Sequence, residues 1–184
     1  MDDIVKAAMA KWPNVPDCYG WLALDARGDW YMRDDRIQAS GPFPEVKGSR
    51  VNHDKLKAFI ERNLSHDDRG AWFFQNGPQR VYLQLEAAPW VLRVRRATEL
   101  GEGRHVVDTH TGLRVHTVRS AWLDELGRLF LDTEHGLGIV HSLDMDAAAD
   151  LVEAGTWVPE DAPFSALPER FGYLLQPAPL TQRP

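Results

Sequence analysis

Residues 79–95 read QRVYLQLEAAPWVLRVR, and this stretch decides the fold. Val81, Leu83 and Leu85 alternate with Arg80, Tyr82, Gln84 and Glu86. After Ala87-Ala88-Pro89 the alternation resumes, with Trp90, Leu92 and Val94 on one side and Arg93 and Arg95 on the other. A period of two places the two sets on opposite faces of β-strands. Outward from this stretch, short period-two segments recur between turn residues. Ala71–Gln75 precedes Asn76-Gly77-Pro78, and Arg104–Asp108 and Leu113–Val118 flank Thr111-Gly112. Ala121–Asp124 and Arg128–Asp132 flank Gly127, and Leu137–His141 follows. Asp144 then caps a helix to about Ala154, which Gly155 terminates. About seven short antiparallel strands and one helix predict a sandwich or partly open barrel, with the helix over its open end.

Upstream the pattern is different. Asp2 and Asp3 open a short helix whose stripe is Ile4, Ala7, Ala8 and Trp12, and Pro13 and Pro16 end it. Trp21–Leu24 and Asp29–Arg33 form a hairpin around Asp25-Ala26-Arg27-Gly28, where Asp bonds back to the backbone and Gly supplies positive φ. Residues 38–50 are a loop, and Asn52 caps a helix to Asn63 with Leu56, Phe59, Ile60 and Leu64 as its buried stripe. The polar run Ser65–Gly70 marks a boundary. The expected organisation is α+β: a small helix and hairpin part at 1–67, an antiparallel β domain with a C-terminal helix at 68–155, and a proline-rich tail at 156–184. Leu24–Met32 also aligns with Leu123–Leu131 as strand, Asp-x-x-Gly turn, strand, the pattern of a duplication.

Composition bounds the function. The chain has 184 residues, 43% hydrophobic and 26% charged, the profile of a globular protein. No apolar run reaches the ~18 residues of a membrane span. The acidic start Met1-Asp2-Asp3 reads as a cytoplasmic N-terminus rather than a signal peptide. Cys18 is the single cysteine, which excludes an internal disulfide. The net charge of −6 argues against nucleic acid as a partner, but it is unevenly placed. Residues 80–119 carry seven Arg, no Lys and a net +3, whereas residues 120–184 carry a net −8.

Several stretches occur together in order: Trp21-Leu22-Ala23-Leu24-Asp25-x-x-Gly28-x-Trp30, the helix at 52–63, Trp72-Phe73-Phe74, Arg80-Val81-Tyr82-Leu83 and Ala88-Pro89-Trp90-Val91. Over roughly residues 18–155 the chain resembles uncharacterised proteobacterial proteins of a domain-of-unknown-function family. The resemblance implies a small N-terminal domain, a pleckstrin-homology-like C-terminal β domain, an internal duplication, a ligand site at the domain interface and a signalling role. It transfers no catalytic residue. The strand count independently matches a pleckstrin-homology topology. The turn Gln75-Asn76-Gly77-Pro78-Gln79, however, lacks the basic residues that bind inositol phosphates in such domains.

Individual residues yield one binding hypothesis and one enzymatic alternative. Arg80, Arg93 and Arg95 alternate against apolar neighbours, Tyr82 shares their face, and Arg114 and His116 extend it. Such a face suits a small anionic ligand or an acidic protein surface. Trp21, Trp72 and Trp90, among seven Trp, are candidates to line a groove between the two parts. His105, His110 and His116 with Asp108 are a candidate metal set, although their spacing matches no metal motif. Ser65-His66-Asp67 holds the residue types of a hydrolytic triad, but neighbours in sequence cannot converge as one. Gly136-Leu137-Gly138 lacks the context of a nucleotide loop, so no cofactor is expected. Asp25 and Asp124 are accounted for by turns. The reading is therefore a non-enzymatic ligand-binding or signalling and regulatory module, with its site expected where the two parts meet. The alternative is a cofactor-independent or metal-dependent hydrolase using the His and Asp residues of 104–118. A homodimer is a further expectation, the acidic 120–184 segment meeting the Arg strands of a second copy.

Overall fold

The computed structural model describes residues 1–97, 101 and 103–179, so the last five residues of the expected tail lie outside the described residues. The fold is mixed α+β with two sheets. The chain divides into two compact units. The first holds Met1–Asp25, Asp29–Glu86 and the described residues from Gly172; the second holds Ala26–Gly28 and Ala87–Phe171.

The first unit contains α1 (Asp3–Lys11), β1 (Cys18–Leu24), β2 (Trp30–Met32), α2 (Asp35–Ser40), β3 (Ser49–Arg50) and α3 (Asp54–Arg62). It continues with β4 (Leu64–His66), β5 (Trp72–Asn76) and β6 (Gln79–Leu85). Its sheet runs β3-β2-β1-β6-β5-β4, with β1 and β6 parallel and the other pairs antiparallel. Leu24, Trp30, Ile60 and Leu83 are fully buried in its core. His53, not Asn52, caps α3, its ring nitrogen accepting from Leu56 N at 3.3 Å. Phe59 of that helix meets Phe74 edge-on with centroids 5.5 Å apart.

The second unit contains β7 (Trp90–Arg96), β8 (His105–Thr109), β9 (Arg114–Val115), β10 (Val118–Leu123), β11 (Leu129–Thr133) and β12 (Gly136–Val140). A 3-10 turn then leads into α4 (Met145–Glu153), followed by β13 (Pro159–Asp161) and α5 (Leu167–Phe171). The sheet order is β13-β10-β11-β12-β7-β8-β9, with β12–β7 and β10–β13 parallel. The predicted tail therefore carries an edge strand and a short helix.

The strands do not form the single antiparallel barrel expected. β5 and β6 join β1 in the first sheet, and only the strands from β7 onward build the second. Periodicity specifies which face of a strand is buried, not which neighbour completes its ladder. Ala87-Ala88-Pro89 is where the chain leaves one sheet for the other. The polar run Ser65–Gly70, where a boundary was expected, lies in β4 and the turn into β5.

The two sheets share one topology. Each joins two three-stranded meanders by parallel pairing of the first strand of one with the last strand of the other: β1 with β6, and β7 with β12. By strand position, β10–β11 correspond to β4–β5, so the counterpart of the Asp124 turn is the Asp67 turn rather than that of Asp25. The turns agree in detail. Asp67 Oδ1 accepts from Arg69 N and Ala71 N at 3.0 Å each. Asp124 Oδ1 accepts from Leu126 N at 3.0 Å and Arg128 N at 2.8 Å. Gly70 (φ 78°) and Gly127 (φ 71°) supply the left-handed residue both turns need.

Candidate functional site

The nine residues expected to line a site divide between the sheets. Trp21 (β1), Trp72 (β5), Arg80 and Tyr82 (β6) belong to the first; Trp90, Arg93 and Arg95 (β7) and Arg114 (β9) belong to the second, with His116 just beyond β9. Arg80 therefore does not share a sheet face with Arg93 and Arg95. Trp21 is exposed, and Trp72 is half-buried with its ring 5.2 Å from that of His66. Trp90 is a core residue, donating from Nε1 to the His135 carbonyl at 2.7 Å. Tyr82 is buried, stacks on Tyr19 at 4.6 Å, and donates from its hydroxyl to Asp67 at 3.2 Å.

The arginines of the second sheet meet carboxylates of their own chain. Arg93 forks onto Asp144 at 2.6 and 3.1 Å. Burial alone would raise the Asp144 pKa, but Arg93 and the Val94 N–H hold it below the ordinary carboxylate range. Asp144 thus anchors β7 and does not cap α4. Asp108 sits between Arg95 at 2.6 Å and Arg114 at 2.8 Å. Arg96 grips Asp146 and Asp150, and Asp150 is held down to about 2, chiefly by Arg96 and also by His105. Arg119 meets Asp132, and Arg128 meets Asp124. Of the Arg residues in 80–119, Arg93, Arg96 and Arg119 thus meet carboxylates of the 120–184 segment within the chain.

What remains is a cleft of about 850 Å³ along the β8–β9 edge of the second sheet. Thr109 makes the turn between these strands, its hydroxyl accepting from Leu113 N at 3.0 Å. Arg104, His105, Arg114 and His116 line the cleft, together with Val107, Val115, Val118, Leu151 and Trp157. No carboxylate is among its described lining residues. His105 is fixed from both sides, Nδ1 contacting the Gly103 carbonyl and Nε2 contacting Asp150, each at 3.1 Å. Glu134 holds the backbone of His116 and Thr117 at 2.6 and 3.1 Å, while the His116 side chain is exposed. Arg104 is exposed and makes no ion pair with a described carboxylate.

The apolar lining comes from residues that sequence reasoning passed over. After α4, Gly155 takes φ 69°, and the Thr156 and Trp157 N–H groups donate back to Leu151 O at 2.9 and 3.1 Å. This C-terminal closure brings Trp157, only 7% exposed, to the cleft beside Leu151. The available signal was a Trp two residues beyond a helix-ending Gly.

The three imidazoles do not gather as one set. His110 Nδ1 accepts from Val91 N at 3.2 Å and its ring lies beside Trp90, whereas His105 faces Asp150. Among the described residues no three His, Cys, Asp or Glu side chains approach as a metal set. No described helix is long and apolar enough to cross a membrane.

Residues 1–178 match the model of DUF2944, a family described as "Protein of unknown function (DUF2946)". The chain belongs to this family. No curated protein matches this DUF2944 member. Among solved structures it is similar to a DUF1285 family protein from Shewanella baltica at 20% identity and a TM-score of 0.45, covering 71% of this chain and 91% of that one. It is also similar to a DUF1285 family protein from Silicibacter pomeroyi at 13% identity and a TM-score of 0.49, covering 82% and 85%.

Proposed function

We propose that the protein is a non-enzymatic binding module whose second unit takes an organic anion with an apolar body. One observation carries the reading: the cleft at the β8–β9 edge is lined by Arg104, His105, Arg114 and His116 over an apolar floor, and no described carboxylate lines it. Its volume lies within the ~300–1,000 Å³ typical of small-molecule sites. Asp108 and Asp150 orient Arg114 and His105 from behind, and Arg104 is free of ion pairs with described carboxylates. An anionic head then meets donors already held in place, while Val107, Val115 and Trp157 cover its body.

The test is calorimetric titration of the full chain with decanoate, decyl phosphate, decanol and decyltrimethylammonium. The anions bind, more weakly at high salt, and Arg104→Gln and His116→Gln each reduce their affinity. Equal binding of decanol and decanoate refutes the role of the cationic rim. Failure of every probe refutes the site.

A further inference from the structure

A second cleft, of about 520 Å³, lies in the first unit and has a different chemistry. Its lining includes Trp12, Pro13, Asp17, Gln75, Pro78 and Arg80. Asp17 and Arg80 each immediately precede a residue of the parallel register pair Cys18–Val81, so the strand pairing sets them side by side. Both also line the adjoining cleft at Tyr19 and Tyr82. Opposite charges so placed ordinarily close onto each other. Here they do not: neither makes an ion pair with any described residue. The Arg80 guanidinium lies instead over the Phe73 ring, 4.8 Å from its centroid.

An independent feature of the same wall points to a ligand. Gln75 is 1% exposed, and its Nε2 donates to the Gly77 carbonyl at 2.9 Å. Its Oε1, also buried, has no hydrogen-bond partner among the described residues. Buried acceptors without donors are rare because desolvating them is uncompensated. Beside it Trp12 is half-exposed at 51%, and Pro13 and Pro78 add rigid apolar surface. A separated anion and cation, an indole, and a buried amide whose oxygen has no donor among the described residues thus meet at one cleft.

We propose that this cleft binds a zwitterion with an apolar body, an apolar amino acid or a short peptide. Asp17 takes the α-ammonium, Arg80 takes the α-carboxylate, and the side chain lies on Trp12 and the prolines. The free amino acid and the peptide share this chemistry and differ in length.

The test uses the full ¹⁵N-labelled chain titrated with L-leucine, L-leucyl-L-leucine, N-acetyl-L-leucine and L-leucinamide, with the Trp12 indole resonance as readout. L-Leucine or the dipeptide shifts that resonance at millimolar concentration. Loss of either charge from the probe weakens binding about tenfold or more, as do Asp17→Asn and Arg80→Gln. Binding of the dipeptide alone assigns a peptide ligand, and equal binding of leucine assigns the amino acid. The blocked probes act on the unmodified protein, so the test stands even if a variant folds poorly. An unmoved Trp12 resonance with both zwitterions, or equal binding of zwitterionic and blocked probes, overturns the proposal.

Discussion

Gly138 lies in β12, in parallel register with Trp90, on the strand that joins the two meanders of the second sheet. A Cβ at this position would lie 2.7 Å from Leu92 Cγ and 2.9 and 3.0 Å from its two methyl carbons. Ordinary contacts begin near 3.4 Å, and Leu92 is completely buried, so it has no solvent to move into. The Gly138 backbone is not in the left-handed region, and the penalty for Gly138→Ala is therefore packing alone. Overpacking of this kind costs about 1–3 kcal/mol. Leu92→Ala alone costs about 2–5 kcal/mol through lost burial and the cavity. In the double variant the clash is gone and the new methyl occupies part of the cavity, so the combined loss falls short of the sum by at least ~1 kcal/mol. Urea unfolding followed by far-UV circular dichroism measures all three losses. Additive losses, or a Gly138→Ala variant as stable as the parent, would refute the claim that Leu92 closes the space over Gly138.

Further substitutions test the turns, the acid limb and the cleft. Gly70→Ala would set a Cβ 1.9 Å from the Gly172 carbonyl oxygen at φ 78°, and a loss of about 2 kcal/mol or more is expected, with faster proteolysis after residue 172. Asp124→Ala removes the acceptor of two backbone N–H groups and of Arg128, costing about 2 kcal/mol or more in thermal unfolding; Asp124→Asn costs less because it retains one oxygen. The Asp144 pKa is lowered on folding, so its contribution is present above the ordinary Asp range near 3.9 and is lost as pH falls through the lower folded value. Asp144→Asn should therefore be less stable than the parent at pH 7, with the difference shrinking below about pH 4. Trp157→Ala should weaken decanoate binding more than formate binding, since it removes apolar lining and leaves the cationic rim; equal effects would contradict its place in the cleft.

Elements with local causes were legible in the sequence. The alternation at 79–85 and 90–96 became β6 and β7, the stripe at 56–60 became part of α3, and the Asp-x-x-Gly turns at Asp25 and Asp124 formed as their chemistry required. The site was less legible because its residues carry no local pattern. Arg104, Leu151 and Trp157 come from a strand approach, a helix and a post-helical turn, and only the fold makes them neighbours. Arg93 and Arg95 read as an outward anion-binding face, and their alternation was right, but the acidic partners lay 51 and 13 residues onward. Arg33 makes the same point in the first unit. It reads as the polar end of a strand, yet it is 1% exposed and donates to the Val46 and Gly41 carbonyls and to Gln84.

By itself the sequence determined the strongly periodic strands, the helix at 54–62 and the Asp-x-x-Gly turns, because these follow from steric preference and from burial repeating every 2 or 3.6 residues, whereas α2, β3, β4, β13 and α5 are too short to carry such a signal. Tertiary structure decided which strands are neighbours, and so which charges are satisfied and which remain available. The 79–95 stretch shows the difference. Its two strands have the same period, yet they enter different sheets, because ladder hydrogen bonds are made between backbones and carry no record of side-chain identity. That partition occupies Arg93 and Arg95 with carboxylates and leaves Arg80 beside Asp17, neither of them in an ion pair with a described residue.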